Sequence, residues 1–238
     1  MLNYNQRTSH RAAESGNVLF LILIAVALFA ALSYAVTSTT RTTDNRGDQT
    51  DGITAAALVQ YPAGVRTAIM RMIINGVAVE DLEFNQPAGF DDLTSNDVAV
   101  FHPDGGNATY QSPTTEAISN PAAAEWYFNA AFEIDNIGSE QPNEFSGNDI
   151  IAFLPGVREG ICRHINRRMG LDGPIPNSNA DLSAAYTTAM DHDYVVPATE
   201  TILGAEGGNG TDSLTGQPFG CFRNAGGDYV YYHVLIER

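Results

Sequence analysis

The run Glu14-Ser15-Gly16-Asn17-Val18-Leu19-Phe20-Leu21-Ile22-Leu23-Ile24-Ala25-Val26-Ala27-Leu28-Phe29-Ala30-Ala31-Leu32-Ser33-Tyr34-Ala35-Val36 decides how the rest of the chain is read. No charged residue lies between Ser15 and Thr40, whereas Arg7, Arg11 and Glu14 precede the run. Twelve of the nineteen residues from 18 to 36 are Val, Leu, Ile or Phe. As a helix those residues rise about 28 Å, close to the ~30 Å hydrocarbon core of a bilayer. Each large apolar side chain favours insertion by roughly 0.3 to 0.6 kcal/mol, which sums to about 4 to 7 kcal/mol. The sequence therefore predicts a chain delivered to or through a membrane. The question narrows to how this segment is processed.

Three outcomes are open. A secretory signal peptide would use Arg7 and Arg11 as its basic region and be cut after Ala35, with Ser33 and Ala35 as the small residues at the site. The released product would be a periplasmic binding protein or an enzyme. The apolar stretch is longer than the 7 to 15 residues usual for such a peptide. A permanent envelope anchor is the second outcome. Its orientation signal is balanced, since Arg41 and Arg46 on the far side match Arg7 and Arg11.

The third outcome rests on Gly16. A short polar, basic leader ends in this glycine, Asn17 follows, and the apolar helix starts at once. In this the chain resembles the type IV pilin and type II secretion pseudopilin superfamily. The resemblance implies that a prepilin peptidase of the inner membrane cuts after Gly16 and that the new N-terminus at Asn17 is methylated. It implies a helix that first anchors the protein and later packs against other pilin or pseudopilin subunits. Most members carry Phe or Met at the first mature position and Glu at the fifth, where this chain has Asn17 and Leu21. A lone carboxylate in hydrocarbon persists only with a partner. Minor and tip-located members are those that often lack it, so the resemblance implies a subunit of that kind. No cofactor and no catalysed reaction are implied.

On this reading residues 1–16 are the leader, 17–36 the transmembrane and assembly helix, 37–52 a polar stem, and 53–238 an acidic α+β headgroup outside the inner membrane. The stem is mostly Thr, Asp, Asn, Arg and Gly. Its poor helix propensity predicts a break between the anchor and a second helix. The net charge of −16 contains no Lys, and all 12 basic residues are Arg. Removing residues 1–16 takes away two Arg and one Glu and leaves −17. Such a surface disfavours nucleic acid and anionic headgroups. It suits saline surroundings, and base composition explains it equally.

Downstream, Leu58, Tyr61, Val65, Ile69 and Met72 step at helical spacing, which predicts an amphipathic helix over 53–75, bent or restarted at Pro62 and ended by Asn75-Gly76. Val98–Phe101 and Thr109–Tyr110 flank the turn residues 103–107 and predict a hairpin. Glu125–Ile134 reads as a strand carrying Trp126. Residues 138–148 read as a loop. Ile150, Leu154, Val157, Ile161, Ile165 and Met169 share one helical face, predicting a second helix over 149–169. Residues 177–218 are polar and loop-rich. Cys221-Phe-Arg and Tyr229–Ile236 close the chain as a hairpin whose last strand, apolar on both faces, belongs at the centre of a sheet. The sum is an α+β plan: an apolar helix, then an amphipathic helix on an antiparallel sheet with a second helix inserted. That layout resembles a pilin headgroup.

The two cysteines, Cys162 and Cys221, lie beyond the apolar segment. In an exported domain they read as a disulfide, and two buried thiols are the alternative. Closing a loop of about 59 residues would stabilise the fold by roughly 4 kcal/mol. Arg158, Arg163, Arg167 and Arg168 concentrate a third of the basic charge on one short stretch. They read either as a docking patch for an acidic neighbouring subunit or as partners in ion pairs within the chain. Asp191-His192-Asp193, with Glu206, Asn209 and Asp212 beyond it, offers oxygens to calcium, as in a C-terminal loop of some pseudopilins. Calcium wants six to eight oxygens and no EF-hand pattern is present, so a solvated acidic loop competes with that reading. None of the five His stands in a catalytic or zinc-binding frame, and no catalytic or metal-ligating residue is assigned.

Overall fold

In the computed structural model, residues 15–39, 43–121, 124–138, 148–178, 201–204 and 210–238 are described. The chain divides into two compact units, Met1–Gly47 and Asp48–Arg238. The first contains the helix α1, Ser15–Thr39. A second helix, α2, spans Thr43–Ile74 and carries Pro62 in its interior.

One helix expectation is corrected here and another is narrowed. The second helix begins at Thr43, so residues 43–52 of the expected polar stem are helical. Contacts made by this stretch account for the override of its weak propensity. Asp48 reaches His164 and Arg167. Of the two outcomes expected at Pro62, a restart is excluded, since α2 runs through that residue and buries it. Its end is as expected. Gly76 takes φ +99°, its N–H donates to Ile73 O, and Val77 N–H donates to Met72 O, the paired bonds of a Schellman cap.

Among the described residues, five strands form one mixed sheet. They are β1 Tyr127–Ile134, β2 Asp149–Val157, β3 Thr201–Leu203, β4 Phe219–Arg223 and β5 Tyr229–Ile236, in the order β3-β1-β2-β5-β4. The pairs β1–β2, β2–β5 and β4–β5 are antiparallel. β3 runs parallel to β1, pairing Phe132 with Thr201 and Ile134 with Leu203, so the sheet is not wholly antiparallel as expected. The closing hairpin agrees with the sequence reading, and β5 is an interior strand between β2 and β4, while β2 is the middle one.

The expected helix over 149–169 is the largest correction. Residues 149–157 form β2, and only Glu159–Arg168 is helical, here called α3. Ile150-Ile151-Ala152-Phe153-Leu154 is apolar at every position and buried on both faces, as a central strand requires. The helical spacing of Ile150, Leu154 and Val157 is incidental to that. Pro155 lies where the ladder with β5 becomes irregular, which is where a strand tolerates proline. The hairpin expected over 98–110 is also absent. Ala99 makes one parallel bridge to Glu83. Gly106 N–H and Ala108 N–H fold back onto Ala99 O and Val100 O in a compact turn. Phe101 and Tyr110 meet edge-on at 5.3 Å instead of extending a ladder.

The sheet separates two apolar clusters. The first joins Ala55, Leu58, Val65, Ile69 and Met72 of α2 and Ile161 and Ile165 of α3 to Phe128, Ala152, Leu154 and Tyr231. Trp126 is buried there, 5.2 Å from Tyr61 and 6.0 Å from Tyr231 by ring centroids. The second joins Phe132, Ile151, Phe153, Val230, Tyr232 and Val234 to Leu203 on the edge strand β3 and to Leu214, so the turn that carries Leu214 covers part of that face. Along β1, Phe128 and Ala130 face the first cluster, yet Phe132 and Ile134 face the second. A register irregularity between Asn129 and Phe132 produces the switch, because one inserted residue turns every later side chain to the other face.

Candidate functional site

Two regions carry the residues singled out above, and each belongs to its own unit. In the first, every residue from Val18 to Ala35 is exposed. Ile24, the least exposed large apolar residue, is 40% accessible, and Tyr34 is 77% accessible. This segment is long and apolar enough to cross a membrane. The same test is passed by a signal sequence near an N-terminus. A helix apolar all round has no polar face to present to water, so lipid or other helices must cover it. Gly16 and Asn17 lie in its first turn. Leu21 projects among the other exposed apolar residues.

The second region is α3 and the elements it joins. Arg158 precedes the helix, its N–H donating to Ala117 O and its guanidinium to Glu116 O at 3.1 Å. Arg163 is ion-paired with Glu159 one turn earlier. Arg167 donates to Asp48 Oδ1 at 3.2 Å, and His164 Nε2 lies 2.8 Å from the same oxygen. The hydrogen bond to His164, and then that to Arg167, hold the Asp48 carboxyl below its ordinary range. Arg168 is exposed in the last turn, where a cation favours the negative end of the helix dipole. Three of the four arginines proposed as a docking patch are thus engaged within the chain.

The expected disulfide is present: Cys162 of α3 is bonded to Cys221 of β4, with their Cα atoms 5.3 Å apart. Of the calcium candidates, Asp212 lies in a short 3-10 turn, Asp212–Leu214. Asp191, His192, Asp193, Glu206 and Asn209 lie outside the described residues. Among the described residues no group of three His, Cys, Asp or Glu converges on a metal position.

Three buried polar residues escaped the sequence reading. Asp149, the first residue of β2, accepts from Ile134 N–H at 3.0 Å and Arg238 N–H at 3.1 Å. Burial raises its carboxyl from 3.8 to about 7. His233 lies 2.7 Å from the Tyr231 hydroxyl, stacks on Phe219, and is lowered by burial to about 4. Asn166 holds both backbone groups of Cys221. Only Asn166 had a usable signal: it stands four residues after Cys162 and so on the same helical face.

No family model, curated protein or solved structure matches this chain.

Proposed function

We propose that the protein is a pilin-like structural subunit, of the minor type, of a type IV pilus or pseudopilus. A prepilin peptidase cuts it after Gly16, α1 holds it in the inner membrane, and assembly packs α1 against the helices of other pilin or pseudopilin subunits. The acidic head stands on the periplasmic or extracellular side. It binds no nucleic acid and works by contact rather than by catalysing a reaction.

The observation that carries this reading is the placement of Gly16 just before the uncharged apolar run, whose residues 18–35 are all exposed. A secretory peptidase cuts after an apolar run, whereas the glycine here precedes it. The head adds support of a coarser kind. Its last strand lies inside a sheet, and the 53–74 part of α2 shares that sheet's apolar cluster. Leu21, in place of a carboxylate, supports a subunit that does not use a salt link at that depth.

The mature N-terminus tests the proposal. Mass spectrometry of the protein from its own membranes should find Asn17, N-methylated, as the first residue. Val36 as the first residue would establish the released periplasmic protein instead. An intact Met1 would establish the permanent anchor.

A further inference from the structure

We propose that Asn166 is a positioning residue for the disulfide: it docks α3 on the edge strand β4 independently of the Cys162–Cys221 bond and presents Cys221 to Cys162. The Asn166 side-chain NH2 donates to Cys221 O at 2.8 Å, and Cys221 N–H donates to Asn166 Oδ1 at 2.9 Å. Asn166 is 2% exposed and Cys221 is fully buried. A carboxamide supplies one donor and one acceptor side by side, the pair that a neighbouring strand would offer. Residues 176–178 serve Arg223, two positions along, in the same way. Arg223 N–H donates to Pro176 O and Ser178 N–H to Arg223 O, each at 2.7 Å. The outer edge of β4 is therefore closed at both residues without any covalent bond.

Cys162 and Asn166 are one helical turn apart, so docking by Asn166 brings the Cys162 sulfur over Cys221. The thiols need an oxidant, here a low-molecular-weight disulfide. One thiolate attacks it and releases a free thiolate. The second thiolate attacks the mixed disulfide and releases another, and two electrons and two protons pass to the small thiols. With two cysteines in the chain, the competing product is a dimer linked between chains. Asn166 favours closure within the chain by raising the local concentration of one thiol at the other.

The test uses the full chain in detergent micelles, reduced and then equilibrated with a glutathione buffer, trapped by alkylation and weighed. For Asn166→Ala the effective concentration of the two thiols should fall roughly tenfold, the equivalent of about one to two buried hydrogen bonds. Linked dimers should rise. The core control Ile69→Val, in α2 rather than in α3 or β4, should change it less than twofold. A fall of less than twofold in Asn166→Ala, or equal falls in both variants, would overturn the proposal. A second measurement leaves Asn166 in place: in the double variant Cys162→Ser, Cys221→Ser, the residue-221 amide should keep its slow hydrogen exchange. Exchange there as fast as at Gly226 in the open turn would show that the disulfide, not Asn166, makes the contact.

Discussion

Asp149 and His233 are both buried in the sheet and respond to pH in opposite senses. Burial lifts Asp149 from 3.8 to about 7, opposed by the N–H groups of Ile134 and Arg238. The unfolded chain releases this proton first. Its contribution to stability is therefore whole below about pH 4 and lost as pH rises to about 7. Burial lowers His233 from 6.5 to about 4, with Arg66 acting in the same direction. There the unfolded chain takes up the proton first, so the contribution is whole above about pH 6.5 and lost as pH falls to about 4. The two largely cancel between those limits. Asp149→Asn should unmask His233, and the variant's stability should rise by up to ~3 kcal/mol from about pH 4 to about pH 6.5. Urea denaturation across that window checks it, and a variant profile parallel to that of the wild type would refute it. Neither residue announces its state in the sequence. Asp149 opens an apolar run and His233 sits within one, but burial depends on the strands that pair beside them.

Among the elements, α2 was legible in its apolar stripe and its cap and illegible in its start. The stripe is local, and Leu58, Val65, Ile69 and Met72 are buried as their spacing requires. The start depends on Asp48 finding His164 and Arg167, more than a hundred residues away. Two glycines of α2 and its cap show how backbone conformation sets the sign of a substitution. A Cβ at Gly64 or at Gly76 meets nothing within 4 Å. Gly64 is in the helix interior, so Gly64→Ala should stabilise the protein by about 0.5–1 kcal/mol. Gly76 has φ +99°, so Gly76→Ala should destabilise it by about 1 kcal/mol. Thermal or urea unfolding of the two variants distinguishes them, and shifts of the same sign would contradict the argument. The segment 149–157 is the element that sequence periodicity misassigned. A short apolar run buried on both faces fits a helix stripe and a central strand equally well.

At the scale of the whole molecule, charge and apolar surface act separately. The net charge of −16 is carried by 28 acidic residues against 12 Arg, and its self-repulsion opposes the compact state. Salt screens that repulsion over about a Debye length, ~10 Å at 0.1 M and ~3 Å at 1 M. The unfolding midpoint should therefore rise between those salt concentrations. Scanning calorimetry in potassium chloride measures it, and a midpoint that falls or stays level would show that local ion pairs such as Arg66–Glu237 outweigh the net charge. The sequence by itself determined the apolar helix, the stripe of α2 with its glycine cap, a strand within 125–134 and the closing hairpin. Each of these is written in adjacent residues, as uninterrupted apolar length, helical spacing or turn chemistry. Only the tertiary structure decided that 149–157 is a strand, that β3 runs parallel to β1, that the helix begins at Thr43, and that Asn166 holds the edge of β4. Those outcomes depend on hydrogen bonds and burial between segments tens of residues or more apart, and no local pattern records which distant segment will supply them.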